Sequence, residues 1–293
     1  MKKILVTGID GQLGQQLQQT LTSIGEVIGL NREKLDLSQT NTISQVINEI
    51  KPDLVVNSAA YTAVDKAESE PELANAVNGI APGILAEECQ KLAVPLIHIS
   101  TDYVFDGSQS QPYRETDPTN PINTYGKSKL AGEIAIQKAC QNYIILRTAW
   151  VYGVGGKGNF VKTMLRLGKE REEVRVVADQ VGSPTYTADL ANTITQIIPL
   201  LKPEIAGIYN YTNSGVTSWY DFAVAIFEEA KHLGWDLKIQ RVIPITTPEY
   251  PTPAIRPAYS VLSCSKISGL MGNHPPHWRQ GLRQMLGELY SKT

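Results

Sequence analysis

The first half of the chain alternates short apolar runs with longer segments of helical periodicity. The apolar runs predict buried strands at 3–6, 26–30, 53–57, 94–100 and 143–147. The segments between them predict helices at 15–21, 39–50 and 71–91, and a further helix that ends near residue 140. Strands and helices in this alternation are typical of a parallel sheet covered by helices on both faces. The pattern therefore predicts an α/β fold with a doubly wound parallel sheet.

The pattern becomes less regular after Trp150. We predict strands at 173–177 and 208–211, helices at 160–168, 187–201, 217–233 and 278–290, and a proline-rich loop at 244–257. Residues 1–150 are expected to form one domain and residues 151–293 mainly a smaller C-terminal α/β lobe, with a segment near 180–215 returning to the first domain. A substrate is expected where the two parts meet, because ligands often bind between domains.

Composition excludes several classes of partner. The net charge of -2 predicts no general attraction to nucleic acid or to anionic membranes. Cys89, Cys140 and Cys264 are widely spaced and form neither a metal-ligand pattern nor a disulfide framework, which suits a reducing compartment. The chain shows no signal peptide and no apolar run that could span a membrane. We therefore expect a cytoplasmic protein.

Three glycines lie between the first predicted strand and the first predicted helix. Gly8, Gly11 and Gly14 suit a tight turn, close approach of the backbone to a diphosphate, and close packing of helix against strand. The N-terminus of the helix that follows offers free N–H groups to phosphates. The arrangement predicts a Rossmann-type domain that binds a nicotinamide dinucleotide.

The end of the second strand bears on which dinucleotide binds. Asn31 and Arg32 lie there, and no carboxylate follows directly to take a ribose 2′-hydroxyl. Arg32 could instead pair with a 2′-phosphate, which favours NADPH, although NADH remains open. The alternative is that Arg32 is an ordinary solvated surface charge.

Chemically useful residues follow four predicted strands. They are the glycine loop, Ala59-Ala60-Tyr61, Ser100-Thr101-Asp102 and Thr148-Ala149-Trp150. Because the carboxyl ends of parallel strands meet at one edge of a sheet, we expect these segments to line one ligand site.

A tyrosine and a lysine lie four residues apart on the helix that ends near residue 140. Tyr125 and Lys129 therefore share one helix face, and the cation is expected to lower the pKa of the tyrosine hydroxyl, making it a proton donor. A hydroxyl from Ser100 or Thr101 could complete a relay. The alternative is that the two residues are an exposed pair on a solvated helix. The chemically useful residues at four strand ends make a catalytic role the better interpretation.

These segments together resemble a known family. The glycine loop, the Ser-Thr-Asp strand end and Tyr125-x-x-x-Lys129 resemble the extended short-chain dehydrogenase/reductases. Within them, the segments at 64–71, 100–105, 162–167 and 250–257 resemble the dTDP-4-dehydrorhamnose reductases. The resemblance implies reduction of the C4 ketone of a dTDP-4-dehydro sugar by NAD(P)H.

The resemblance also implies roles for individual residues. Tyr125 would donate the proton, Lys129 would hold the nicotinamide ribose, and Thr101 would polarise the carbonyl or orient Tyr125. The residues expected to line the cofactor are Gly8, Gly11, Gln12, Leu13, Gly14, Arg32, Asp36, Leu37, Ala59, Ala60, Tyr61, Tyr125 and Lys129. Those expected to contact the sugar nucleotide are Thr101, Asp102, Tyr103, Trp150, Asn159 and Arg256.

The chain departs from the family pattern at one position. Some members bind Mg²⁺ between subunits through glutamates, and Gln16 stands where one of these is expected. A neutral amide is a poorer ligand for a hard cation, so we expect no metal, and a homodimer remains open. Two other functions also remain open on this fold. One is a different nucleotide-sugar epimerase, dehydratase or reductase, and the other is a non-catalytic NADP-binding protein similar to the regulatory subunit of methionine adenosyltransferase.

Overall fold

The computed structural model describes residues 1–292 of the chain. Its strands are β1 (Lys3–Thr7), β2 (Glu26–Leu30), β3 (Leu54–Asn57), β4 (Leu96–Thr101), β5 (Tyr143–Thr148), β6 (Val151–Tyr152), β7 (Glu173–Val177), β8 (Val181–Gly182), β9 (Thr185–Tyr186), β10 (Gly207–Asn210), β11 (Thr217–Ser218) and β12 (Arg241–Ile245). Its α-helices are α1 (Gln12–Thr20), α2 (Thr40–Ile50), α3 (Val64–Ala67), α4 (Pro71–Asn75), α5 (Ala81–Leu92), α6 (Thr124–Ala139), α7 (Phe160–Glu170), α8 (Thr187–Ile197), α9 (Trp219–His232), α10 (Ser265–Met271) and α11 (Trp278–Tyr290).

Six parallel strands form the central sheet, in the order β10-β5-β4-β3-β1-β2. β2 lies on one side of β1, and the later strands β3, β4 and β5 lie on the other side. The chain thus extends the sheet in both directions from β1, which is the doubly wound arrangement expected from the sequence. The predicted α/β fold is therefore confirmed. β10 comes from the second half of the chain and pairs with β5, so the sheet is completed across the expected domain boundary. The boundary near residue 150 stays a prediction.

Alternate residues of the strands bury their side chains on opposite faces of the sheet. One face, which includes Ile4 and Val56, packs against α1 and α8. The other face, which includes Leu5 and Val55, packs against α2, α5 and α6. Helices cover both faces of the sheet. The strands are therefore continuous apolar runs in the sequence, and apolar and polar residues do not alternate along them.

The remaining strands and helices form a second apolar cluster in the C-terminal half. β7 and β12 pair in parallel, and α7, α9 and α11 pack on them through residues such as Phe222 and Leu286. The sequence analysis began a loop at residue 244, but Pro244 lies within β12 opposite Val176. A proline is tolerated there because β12 pairs with β7 alone, so its missing N–H faces no second strand.

The predicted helix at 71–91 is interrupted. It consists of α4, a single π-helical turn at Ala76–Ile80, and α5. Pro82 at the start of α5 has no N–H to continue a regular α-helical bond, which accounts for the wider turn before it. No helix within residues 1–292 is both long and apolar enough to cross a membrane.

A buried ion pair joins α6 to the central sheet. The guanidinium of Arg147 on β5 donates to both carboxylate oxygens of Glu133 on α6, over 3.0 Å from Nε and 2.6 Å from Nη2. Ser100 at the end of β4 donates to the same carboxylate over 2.5 Å. Both charged side chains are almost completely buried, and the Phe105 ring lies 5.1 Å from the guanidinium carbon. The middle of α6 is therefore held against the ends of β4 and β5.

We expect Arg147→Met to lower the free energy of unfolding by about 3–5 kcal/mol, because it leaves the Glu133 charge buried without its partner. Chemical denaturation followed by circular dichroism measures the loss. Arg166→Met is the matched control, since Arg166 pairs with Glu170 on the exposed surface of α7, and it should change stability by no more than about 0.5 kcal/mol. Equal losses in the two variants would contradict the assignment.

Candidate active site

A cleft of about 800 Å³ opens at the carboxyl edge of the central sheet. The loops after the first five strands line it, as expected for a doubly wound sheet. The structure brings together nearly all of the residues that the sequence analysis selected. Two selected residues, Asn159 and Arg256, are not among the lining residues that the structure describes.

The glycine loop can adopt its conformation and pack this closely because it lacks side chains. Gly8 has a φ of 71°, a left-handed conformation that other residues adopt with strain. A Cβ atom on Gly14 would lie 2.2 Å from the carbonyl oxygen of Gly8. Helix α1 begins directly after the loop at Gln12, and its first N–H groups point into the cleft end. The loop and the helix start form the cradle that a dinucleotide diphosphate requires.

Arg32 and Asp36 line the cleft beyond the second strand. The Arg32 side chain is 76% exposed, and its Nε lies 3.2 Å from Asp36 Oδ2. The backbone N–H and the hydroxyl of Ser38 both donate to the other Asp36 oxygen. Asp36 is therefore fixed and orients Arg32, while most of the guanidinium remains free to meet an anion.

The loop after β3 is held in place by a buried amide. Asn78, in the π-helical turn, accepts from the N–H of Tyr61 over 2.9 Å and donates to the Tyr61 carbonyl over 3.0 Å. Its Nδ2 also lies 3.1 Å from the Ser128 hydroxyl on α6. The sequence leaves Asn78 open between a structural amide and a catalytic residue, and these bonds give it a supporting role beneath the backbone of Tyr61.

Tyr125 lies in the first turn of α6 and reaches the cleft. Asn123 caps this helix by accepting from the N–H of Gly126 over 2.8 Å. The Tyr125 hydroxyl is hydrogen-bonded to the Thr101 side chain. Thr101 in turn donates to Asp102 Oδ1 over 2.9 Å. Tyrosine, threonine and aspartate thus form one connected polar chain at the end of β4.

Burial decides the ionisation of these groups. It raises the pKa of Tyr125 to about 12 and that of Asp102 to about 6, because each charged form would lose its hydration. It lowers the pKa of Lys129 to about 8 for the same reason. The sequence analysis expected Lys129 to lower the pKa of Tyr125, but burial shifts it the other way. Tyr125 is therefore a protonated hydroxyl at neutral pH.

The far end of the cleft carries two further marks of ligand binding. Asp102 is 2% exposed, and although Ser260 lies near the carboxyl, its Oδ2 has no hydrogen-bond partner of normal geometry among residues 1–292. Trp150 has a φ of 49°, a strained conformation for a bulky residue. Its ring stacks on Trp219 with the centroids 3.5 Å apart. Sequence reasoning missed Trp219, although its place at the start of an amphipathic helix indicated a buried position.

The two selected residues outside the cleft have other partners. Asn159 caps α7 and donates to the side-chain oxygen of Gln12 over 2.7 Å, so it supports the glycine loop. Arg256 donates to both oxygens of Asp65, over 3.1 and 2.8 Å. Its guanidinium therefore fastens the proline-rich loop to α3. A contact between residues this far apart in the chain leaves no local sequence signal.

The search for a metal centre gives no candidate. Within residues 1–292, no group of three or more His, Cys, Asp or Glu side chains has an arrangement that could hold a metal ion. The expectation that this chain binds no metal stays a prediction.

Comparison with known proteins identifies close relatives over the full chain. Residues 1–291 match the family model described as the RmlD substrate binding domain. The chain is 44% identical to dTDP-4-dehydrorhamnose reductase of Burkholderia thailandensis, over 99% of this chain and 100% of the relative. It is 43% identical to the enzyme of the same name from Escherichia coli K12, over 99% of each chain.

A solved structure agrees with these sequence matches. The structure of dTDP-4-dehydrorhamnose reductase from Bacillus anthracis in complex with NADP superposes with a TM-score of 0.91. The two sequences are 40% identical, over 98% of this chain and 99% of the other.

Proposed function

The chain belongs to the dTDP-4-dehydrorhamnose reductase family, and we propose that it reduces the C4 ketone of dTDP-4-dehydro-L-rhamnose to dTDP-L-rhamnose with NADPH. It is an oxidoreductase of dTDP-rhamnose biosynthesis. The observation that carries the proposal is the full-length similarity to relatives of this name, together with a cleft in which Tyr125, Lys129 and Thr101 are all present.

The cleft residues fit a dinucleotide. Glycine at position 14 lets α1 pack closely against the loop, and the loop with the free N–H groups at the start of α1 would hold the diphosphate. Arg32 offers a cation to a 2′-phosphate, and the solved relative is described in complex with NADP. Bound NADPH supplies the hydride. NADH stays open as a second cofactor.

Tyr125 supplies the proton. Its hydroxyl is protonated at neutral pH and lies beside the Thr101 hydroxyl, whose own proton is donated to Asp102, so Tyr125 is the group that can donate towards an oxygen in the cleft. As negative charge develops on the ketone oxygen, the Tyr125 proton transfers to it. Thr101 orients that hydroxyl. Lys129, charged below about pH 8, stabilises the phenolate left behind and holds the ribose of the cofactor.

The sugar nucleotide lies at the end of the cleft formed by β4 and β5. The unpartnered Asp102 oxygen is ionised above about pH 6 and can accept from a sugar hydroxyl. Trp150 offers a ring face, and Tyr103 lies edge-on to Tyr125 with the centroids 5.5 Å apart. We assign residues 1–150 to cofactor binding and residues 151–293 mainly to substrate binding. Asn159 and Arg256 contribute indirectly: Asn159 supports the glycine loop through Gln12, and Arg256 fixes the proline-rich loop to α3 through Asp65.

We propose that the protein is cytoplasmic. Cys89, Cys140 and Cys264 are free thiols in the structure, which suits that compartment. A homodimer without bridging metal stays a prediction.

The decisive assay follows NADPH oxidation with dTDP-4-dehydrorhamnose and, separately, with UDP- and GDP-linked 4-keto sugars. We expect turnover with the dTDP sugar and much lower kcat/KM with the others. Preference for a UDP or GDP sugar would favour another nucleotide-sugar enzyme. Tight NADPH binding without turnover of any sugar would favour a regulatory protein.

Tyr125→Phe removes the hydroxyl and little volume. We expect kcat to fall by about 10²–10⁴-fold, the usual contribution of general acid catalysis, while the Kd for NADPH stays near the wild-type value. Stopped-flow hydride transfer and fluorescence titration measure the two. A near-normal kcat with cofactor bound would exclude Tyr125 as the donor.

The pH profile separates Tyr125 from Lys129. Because burial lowers the pKa of Lys129 to about 8, its charge is present below that pH and lost above it, so kcat/KM should fall as the pH rises through about 8. The residual activity of Tyr125→Phe should keep this alkaline limb. Lys129→Met should lose it, along with both turnover and cofactor affinity.

Arg32→Asp tests the nicotinamide preference. We expect it to weaken NADPH by about ten- to a hundredfold, since it removes a charge-assisted contact to the 2′-phosphate, and to change NADH little. Kd values for both cofactors measure the effect. Arg171→Asp, an exposed arginine at the end of α7, is the control for charge alone. Equal losses for NADPH and NADH would overturn the assignment.

A further inference from the structure

A row of polar side chains crosses the sheet beneath the cleft. Thr7 on β1 lies opposite Asn57 on β3, and Asn57 lies opposite His98 on β4. All three are buried. The positions two residues earlier on the same strands are the apolar Leu5, Val55 and Leu96. Polar groups in a sheet interior cost free energy unless they are bonded, so the row requires an explanation.

The row ends on the lysine of the active site. Thr7 Oγ1 donates to Asn57 Oδ1 over 2.6 Å, and Asn57 Nδ2 lies 3.0 Å from His98 Nδ1. His98 Nε2 lies 3.2 Å from Lys129 Nζ, which also donates to the Ile99 carbonyl over 2.7 Å. Lys129 is 1% exposed, so these bonds replace water around its nitrogen.

His98 can hydrogen-bond to both the charged and the neutral form of Lys129. Burial, with a smaller contribution from Lys129, keeps the pKa of His98 well below its usual range, so the ring is neutral and carries one proton. It therefore donates from one nitrogen and accepts at the other. A charged Lys129 requires Nε2 to accept, which puts the proton on Nδ1 and calls for the oxygen of Asn57 beside it. A neutral Lys129 allows the proton on Nε2, with the Asn57 orientation seen here.

We propose that His98 is a positioning residue that holds the Lys129 nitrogen and links the charge of Lys129 to the tautomer of its own ring. The proposal deepens the proposed function and rests on it where it assigns Lys129 to the cofactor ribose. An accepting Nε2 stabilises the ammonium against the loss of hydration. With the Asn57 amide turned so that its oxygen faces Nδ1 and its nitrogen faces Thr7, His98 thus keeps Lys129 charged at neutral pH.

Other charged groups surround Lys129 without replacing this contact. Glu133 on α6 raises the pKa of Lys129, but its carboxylate is ion-paired with Arg147 on β5. Tyr125 lies on the same helix, and the Asp102 charge in the turn after β4 acts on the pKa of Tyr125 and of Tyr103. Across the part of the chain that the structure describes, His98 is the side chain with a polar atom within hydrogen-bond distance of Lys129 Nζ.

Two substitutions of His98 test the role. His98→Leu removes the acceptor, so the alkaline limb of NADPH affinity should move down by about one pH unit; the Kd should then rise about twofold at pH 7 and about tenfold at pH 9. His98→Gln offers a side-chain oxygen to Lys129 and should restore most of both losses. His232→Gln, an exposed position at the end of α9, should change neither quantity.

The pattern of losses distinguishes positioning from packing. If both His98 variants melt at lower temperature but keep the wild-type alkaline limb, His98 only fills space and the proposal is wrong. If His98→Gln loses as much as His98→Leu, the accepting atom is not what matters, and the proposal also fails.

The ring tautomer gives a test that needs neither activity nor a folded His98→Leu variant. Nitrogen-15 chemical shifts of the histidine side chains report which ring atom carries the proton, and His98→Gln assigns the signal among the four histidines. Near pH 6.5, well below the pKa of Lys129, we expect the Nδ1–H form in the cofactor-free wild type and the Nε2–H form in Lys129→Met. The Nε2–H form in the wild type, or the same form in both proteins, would overturn the proposal. Failure of the sugar assay would overturn the proposed function and leave this result unaffected.

Discussion

The position of α6 depends on one buried carboxylate. Glu133 has no exposed surface, and its two oxygens are shared between Arg147 on β5 and Ser100 on β4. A charge so placed is stable only while its partners stay in register, so α6 cannot slide along the sheet without leaving it unpaired. Tyr125 lies two turns and Lys129 one turn before Glu133 on the same helix. Their distance from the ends of β4 and β5 is therefore set by the ion pair.

A second set of carboxylates holds the loops around that helix. Glu68 accepts from the N–H and hydroxyl of Thr124 at the start of α6, over 2.8 and 2.9 Å. Glu70 accepts from the Tyr61 hydroxyl over 2.5 Å, and Asp65 binds Arg256. One short acidic segment thus contacts the loop after β3, the catalytic helix and the proline-rich loop. These bonds are partly exposed, so each contributes modestly, and their effect is geometric rather than energetic.

Most of the fold and most residues of the cleft could be predicted from local sequence patterns. The apolar runs, the glycine loop and the residues at the strand ends are each encoded within a few neighbouring positions, and the sheet brings them together by its parallel order alone. Contacts between residues far apart in the chain could not be predicted from the sequence. The strand at β10 was marked by its apolar residues, but nothing local showed that it pairs with β5. Arg256 meets Asp65 across 191 residues, which is why its place outside the cleft was missed.

The ionisation of the site was the least accessible to sequence reasoning, because it depends on how much water each group loses. The spacing of Tyr125 and Lys129 indicated attraction between a cation and a phenolate, which would lower the pKa of the tyrosine. The fold instead buries both groups, and desolvation penalises whichever form is charged. The result is a tyrosine that keeps its proton and a lysine whose pKa falls to about 8. A proton donor for a ketone must be protonated before the reaction, and it needs a nearby cation only as negative charge develops on its own oxygen. Burial therefore favours the protonated form of Tyr125. The hydrogen bonds between Lys129 and its partners His98 and Ile99 must keep the lysine charged despite burial.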